Sequence, residues 1–505
     1  MDWLEYFLIP FTDIKLLLIA VFGTLAGFIM GALPGLSVTM AVTLLVSLTY
    51  SWDTIPAIVL MIAVFFGGVY GGSRSAILLN IPGTTSSLAT TFDGYPMAQR
   101  GEAGLAIGLA TLFSVIGGLF GMVVMGVASP LLADFALSFD SRDYFLLMVL
   151  GLLLVGSLST TSLAKAVIGA AAGVFLGLVG LDSMTGVERF TFGFLHLKSG
   201  ISYIACLLGL FGLAEVLYQM HQLKTKDGGK KPANIGRYFP TFKQFLRYLP
   251  LTLRAGGIGT AIGALPGAGG EIASIVAYDH AKRTVKKPSR PFGQGAHEGV
   301  VAPDVANMAA VGGALIPMIT LGIPGDAVTA VIIGALFIHG LKPGPMLMAE
   351  TPELFWVIVG CGVISVIFVF VWGLTAVSAF ARVITIPKHV LLPIIAFLTV
   401  VGAYAVNNSV VDVYWMIAFG IIGYFMKKYD FPTGPMVLGI ILGPMLESNF
   451  RRGIIAEEGL SQFLLSLVTH PLSLILTLAV VLTILTQTSF YRSWKNKRSL
   501  RKKIG

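Results

Sequence analysis

The sequence predicts an all-α polytopic membrane protein of about ten to twelve helices in two repeated halves, the second inverted relative to the first, with re-entrant or broken helices at Pro-Gly motifs. Three observations carry that reading: a deficit of charge, long uninterrupted apolar runs, and a set of Pro-Gly motifs that recurs in order along the chain.

Of 505 residues, 55% are hydrophobic and 12% charged, about half the roughly 25% charge of a soluble domain. A water-facing surface of that composition would be too poor in charge. The apolar residues run on without alternation, as at positions 144–157, 164–180, 355–381 and 471–486. About 20 such residues cross the hydrocarbon core as a helix. Lipid offers the backbone no hydrogen bonds, so a spanning segment is helical or belongs to a closed barrel. Continuous runs exclude the barrel, whose strands alternate.

The net charge of +9 does not point to nucleic acid. The basic residues gather at positions 224–247, 282–290 and 495–503, and basic loops stay on the cytoplasmic side of a membrane. Cys206 and Cys361 lie in apolar runs and suggest neither a disulfide framework nor a metal site. The first ten residues hold Asp2 and Glu5 but no basic residue, unlike a cleavable signal peptide. The first spanning helix is expected near residues 16–30. Trp3, Trp52, Trp356 and Trp494 are expected at membrane–water interfaces.

The repeat is internal. Gly31-Ala32-Leu33-Pro34-Gly35 recurs as Gly263-Ala264-Leu265-Pro266-Gly267, and Leu79-Asn80-Ile81-Pro82-Gly83 is echoed by Leu321-Gly322-Ile323-Pro324-Gly325. Residues 144–181 share the rhythm of 390–425, two apolar helices joined by a short polar link. Three matches in one order favour duplication. The division is then 1–222 as the first transmembrane repeat, 223–250 as a basic cytoplasmic linker, 251–490 as the second repeat and 491–505 as a basic cytoplasmic tail. The loop after the second GALPG motif is basic, while residues 50–58 after the first hold no Lys or Arg, so charge favours opposite sides for equivalent loops.

Pro34-Gly35, Pro82-Gly83, Pro266-Gly267 and Pro324-Gly325 each interrupt an apolar stretch. Proline removes a donor and clashes with the preceding turn; glycine reaches backbone angles closed to other residues. Each alone is compatible with a kinked helix or a loop. Four, paired between two halves, point to re-entrant hairpins that line a cavity. Helix N-termini at such breaks favour anions, and freed carbonyls favour cations. Asn80 and the hydroxyls of Thr84, Thr85, Ser86 and Ser87 are candidate substrate ligands; helix capping asks for the same residues. Asp326, with Thr320 and Thr329 nearby, either serves a coupling cation or proton or caps a helix. Arg74 either pairs with a substrate carboxylate or sits at the interface. Ser37, Thr39 and Glu271 complete the candidate cation surroundings. Asn307, Asn407 and Asn408 are weaker candidates, since asparagine in membranes often joins helices. Lys165 and Asp182 are expected at helix ends.

At residues 70–83, Tyr-Gly-Gly-Ser-Arg-Ser-Ala-Ile-Leu-Leu-Asn-Ile-Pro-Gly, and 93–101, Asp-Gly-Tyr-Pro-Met-Ala-Gln-Arg-Gly, the chain resembles the large membrane subunit of the tripartite tricarboxylate transporters. Both GALPG motifs and Leu-Gly-Ile-Pro-Gly fit, and the likeness covers nearly the whole chain. The resemblance implies a multi-pass protein of the bacterial inner membrane beside a small membrane subunit of about four helices. It implies delivery by a periplasmic solute-binding protein, tri- or dicarboxylates such as citrate as substrates, and symport driven by Na⁺ or H⁺ without a bound cofactor. No phosphate-binding loop of the Gly-x-x-x-x-Gly-Lys type appears, consistent with a drive other than ATP. An intramembrane enzyme is the rival from another class, but the seven histidines form no His-Glu-x-x-His pattern. An ion channel is the third possibility, since re-entrant loops also build filters.

Overall fold

The computed structural model describes residues 3–33, 35–158, 163–182, 184–222, 239–375 and 388–487. Pro34, Trp494, positions 223–238 of the expected linker and the expected tail at 491–505 lie outside the described residues.

The described chain is almost wholly helical. Among the described residues, eight helices are long and apolar enough to cross a membrane, or nine if the pair Leu460–Thr469 and Pro471–Leu485, bent by 89°, counts as one. The sequence led to about ten to twelve crossings at roughly 20 residues each. Part of the difference lies in short apolar helices: Val38–Leu48 has 11 residues and Ala327–Ile338 has 12. At about 1.5 Å per residue, each covers only about half of a core roughly 30 Å thick. Both follow a Pro-Gly break, so they are half-length pieces.

The chain opens with α1 (Trp3–Thr12), which sequence reading did not anticipate, and α2 (Ile14–Ala32), started by Asp13, whose carboxylate accepts from the Lys15 N–H at 2.8 Å. Then come α3 (Val38–Leu48), α4 (Thr54–Leu79), α5 (Leu88–Gln99), α6 (Ala103–Ala136), α7 (Ser141–Leu158) and α8 (Leu163–Gly177). A two-stranded antiparallel hairpin, β1 (Gly180–Leu181) with β2 (Glu188–Arg189), precedes α9 (Tyr203–Leu207) and α10 (Ala214–Gln222), which a π-helical stretch joins. The second half runs α11 (Phe242–Gly263), α12 (Gly269–Thr284), α13 (Glu298–Leu321), α14 (Ala327–Ile338), α15 (Pro345–Glu350), α16 (Pro352–Thr375), α17 (Lys388–Asn407), α18 (Val410–Lys428), α19 (Thr433–Ala456), α20 (Leu460–Thr469) and α21 (Pro471–Gln487). Thr241 caps α11 with Gln244 in a reciprocal box, so positions 242–250 of the expected linker are helical.

The motif repeat is also a repeat of contacts. In the first half, α2 crosses α4 so closely that a Cβ on Gly31 would stand 2.0 Å from the Gly68 carbonyl oxygen, and one on Gly27 2.2 Å from that of Val64. In the second half, Gly263 stands the same way over Ala310 (2.4 Å) and Gly259 over Ala306 (2.3 Å). The reverse approaches match too: Gly71 meets the Phe28 carbonyl and Gly313 that of Thr260. Along each helix pair the register between copies is constant. Glycine at these positions lets two backbones touch, which lipid-buried helices use in place of a hydrophobic driving force.

The chain condenses into two compact units, Met1–Asp134 with Ile204–Phe425, and Phe135–Tyr203 with Met426–Gly505. They do not follow the sequence halves. In the first unit, the α17–α18 hairpin of the second half packs on the π-helical stretch Leu208–Leu213 and on α10 of the first, with Gly209, Gly420 and Gly423 at the crossing. In the second unit, the α7–α8 hairpin of the first half packs on α19 of the second, with Gly173, Gly177, Gly439 and Gly443 between them. The exchange is reciprocal. The second unit also holds a closed ring of ion pairs, in which Asp182 and Glu447 each meet both Arg189 and Arg451.

Replacing Gly31 or Gly263 with Val should each cost about 3 kcal/mol or more, because the added carbons meet backbone that cannot yield. Gly257, where a Cβ would meet nothing within 4 Å, is the control: Gly257→Ala should raise stability by about 0.5–1 kcal/mol. Thermal unfolding of the detergent-purified variants measures both.

Candidate functional site

The Pro-Gly breaks build two equivalent tips. Helix α4 ends at Asn80, whose φ of 59° is left-handed, and α13 ends at Gly322 with φ of 71°. Beyond each, Pro and Gly turn the chain, and α5 then lies against α4 as α14 lies against α13. A Cβ on Gly83 would stand 2.1 Å from the Gly31 carbonyl oxygen, and one on Gly325 2.7 Å from that of Gly263. Each tip is therefore seated on the GALPG break of its own half. Gly35 (φ 93°) and Gly267 (φ 74°) turn those breaks, with Pro266 half-buried beside Gly267.

The tips are capped alike with different chemistry. The Thr84 N–H donates to Ser87 Oγ (3.3 Å), and the Ser87 hydroxyl donates back to the Thr84 carbonyl (2.8 Å). At the second tip the Asp326 N–H donates to Thr329 Oγ1 (2.9 Å), and Asp326 Oδ1 accepts from the Thr329 N–H (2.8 Å). Thr84, Ser86 and Ser87 are buried and bonded among themselves, while Thr85 is exposed. Pro82 is half-buried; Gly83, Pro324 and Gly325 are buried; Asn80 is exposed and Asp326 half-buried.

The halves meet at these tips. Thr85 donates to the Glu271 carboxylate at the start of α12. A Cβ on Gly269 would stand 3.0 Å from Asp326 Cβ, and one on Gly270 2.2 Å from Asn307 Oδ1. Helix α14 lies beside α3, and α5 beside α12. Four helices (α3, α5, α12 and α14) thus begin in one neighbourhood, each just after a Pro-Gly break. Glu271 is solvent-accessible there.

Other candidates are placed differently. Ser37 is half-buried and caps α3, accepting from the Met40 N–H at 3.1 Å. Thr39 is half-buried. Thr320 is fully buried and its hydroxyl returns to the Ile316 carbonyl (2.8 Å). Arg74 is buried inside α4: Nη1 donates to the Ile107 carbonyl (3.1 Å), the guanidinium lies 4.0 Å above the Tyr70 ring, and Nε and Nη2 have no partner among the described residues. It lies close enough to Asp304 to act on it electrostatically; Asp304 accepts from Thr90 at 2.5 Å, and its Oδ2 has no hydrogen-bond partner among the described residues. A cleft of about 660 Å³ beside Asp13, Lys15 and Trp52 contains none of the motif residues.

Sequence reading missed Asp93. Fully buried in α5, its Oδ1 accepts the N–H groups of Gly293 (2.9 Å), Gly295 (2.8 Å) and Ala296 (2.8 Å), and its Oδ2 the Tyr278 hydroxyl (2.9 Å). It ties the first tip helix to the loop before α13. An acid followed by glycine within an apolar stretch was the available signal. The same loop is held by Arg290 on Glu102, which keeps the Glu102 carboxyl below its usual pKa. A depressed carboxylate stabilises at neutral pH and loses that contribution as pH falls through the lowered value.

The fold is that of an all-α, multi-pass membrane protein with paired broken helices, a class in which such breaks line substrate and ion sites. The family model described as the tripartite tricarboxylate transporter TctA family matches residues 17–438, and the chain belongs to that family. It is 36% identical over 437 residues, 86% of each chain, to the uncharacterized 52.8 kDa protein in the TAR-I ttuC' 3' region of Agrobacterium vitis. It is also 36% identical over 240 residues to the uncharacterized protein in the TAR-II ttuC' 3' region of the same organism, covering 47% of this chain and 98% of that one. No solved structure matches.

Asp93→Ala should lower stability by about 3–5 kcal/mol, since it strands two buried N–H groups, of Gly295 and Ala296, and a buried hydroxyl, besides releasing the Gly293 N–H. Tyr278→Phe, which removes one of those bonds, should cost about 1 kcal/mol. Chemical denaturation of the purified variants gives the comparison.

Proposed function

We propose that this chain is the membrane subunit through which a small tri- or dicarboxylate such as citrate enters a bacterium across its inner membrane. A periplasmic solute-binding protein delivers the substrate, a small four-helix membrane subunit accompanies the chain, and a Na⁺ or H⁺ gradient supplies the drive. Substrate and ion cross without a covalent step, so the chain is a transporter rather than an enzyme. Family membership supports the tripartite arrangement.

The observation that carries the reading is the convergence of four helix beginnings at the Pro-Gly breaks. Helix N-termini present unpaired N–H groups and positive potential. Those of α3 and α5 carry only hydroxyl caps, Ser37 and the Thr84–Ser87 turn, and suit a carboxylate anion. Those of α12 and α14 carry Glu271 and Asp326, which repel an anion and suit the coupling ion. One half then serves the substrate and the other the ion. Thr85, exposed and shared with Glu271, stands at their junction.

Uptake of labelled carboxylates into proteoliposomes holding all three components, under imposed Na⁺ and proton gradients, tests this. Uptake should saturate with substrate and require one gradient; unsaturated flux that ignores both would indicate a channel. Thr85→Ala should raise the KM for the carboxylate about tenfold, because its O–H, which donates to Glu271 here, turns to the substrate carboxylate when that binds. Thr85 is the informative position of the hydroxyl turn, because its three neighbours hold the tip together. An unchanged KM would remove it from the site.

A further inference from the structure

Resting on that reading, we propose that Asn307 supplies the side-chain carbonyl of a sodium site completed by the carboxylates of Glu271 and Asp326. Three elements bring these groups to one short stretch, Gly269–Gly270–Glu271. Gly269 (φ 53°) lies against Asp326, whose Oδ2 stands 3.8 Å from where its Cβ would be. Gly270 lies under Asn307 Oδ1. Glu271 follows directly.

Asn307 marks the site as more than a pair of acids. Its side chain is 3% exposed, and Oδ1 has no hydrogen-bond partner among the described residues. A buried amide oxygen left alone costs about 1–3 kcal/mol. It cannot take up a proton itself at physiological pH, and it needs a partner that satisfies it together with two carboxylates. A hard cation does, since Na⁺ takes carboxylate, amide and hydroxyl oxygens alike. Each carboxylate is held by one oxygen, Asp326 Oδ1 by Thr329 and Glu271 Oε1 by Thr85, which fixes its direction.

The first half is an internal control. It builds the same break, tip and crossing with Thr39 where the second half has Glu271, Thr84 where it has Asp326, and Phe65 where it has Asn307. The backbone therefore requires none of the three oxygen-bearing residues. All three differ together, and they differ where the second-half copies converge.

The test is ²²Na⁺ binding to the purified complex, alongside the sodium dependence of carboxylate uptake at equal pH on both sides. The wild type should bind Na⁺ saturably, and Asn307→Leu should weaken that binding at least about tenfold while unfolding at or above the wild-type temperature in sodium-free buffer. Glu271→Gln, on the solvent-accessible side, should weaken it as well and serves if the first variant does not fold. Undiminished affinity in both variants overturns the proposal. So does a wild type that transports carboxylate on a proton gradient and binds no Na⁺, a result that leaves the transport reading standing. Absence of carboxylate uptake by the wild type under either gradient overturns that reading itself.

Discussion

The contact on which the rest depends is glycine against carbonyl at the crossing of α2 with α4 and of α11 with α13. There the backbones lie too close for any side chain. The crossings seat both Pro-Gly tips, because the carbonyls of Gly31 and Gly263, the first residue of each GALPG motif, are also atoms against which Gly83 and Gly325 rest. Broken backbone inside a membrane is costly unless protein covers it. Here one half's break covers the same half's tip, so four interruptions become two mutually supporting pairs.

That economy leaves the ends of four helices free for chemistry. The first tip spends Thr84, Ser86 and Ser87 on its own turn and presents Thr85. The second spends one carboxylate oxygen of Asp326 on Thr329. The site's polarity thus comes from what each half substitutes into a shared frame. Asp93 and Glu102 do a different job, tying the helix after the first tip to the loop that precedes α13, so that the two halves are joined away from the breaks as well as at them.

The interleaving has a similar origin. Each half's hairpin finds a glycine-lined partner on the other half's following helix, α18 on the π-helical stretch and α10, α8 on α19. Such an exchange makes the halves inseparable even though the chain can be read as one unit written twice.

By itself the sequence determined the environment, the helical class, the duplication and the positions of the breaks. Charge deficit, uninterrupted apolar runs and recurring Pro-Gly pairs are properties of the chain that no folding partner can alter. It also marked Thr84–Ser87, Glu271 and Asp326, because polar groups are conspicuous in apolar surroundings. Only the tertiary structure decided which hydroxyl of four leaves the turn to meet Glu271, that Arg74 is enclosed against Tyr70, that Asp304 lies near it, and that Asn307 stands over Gly270. Those outcomes depend on which helices cross and at what distance. A side chain's burial and partners are set by residues far away in the chain, and sequence spacing does not encode them.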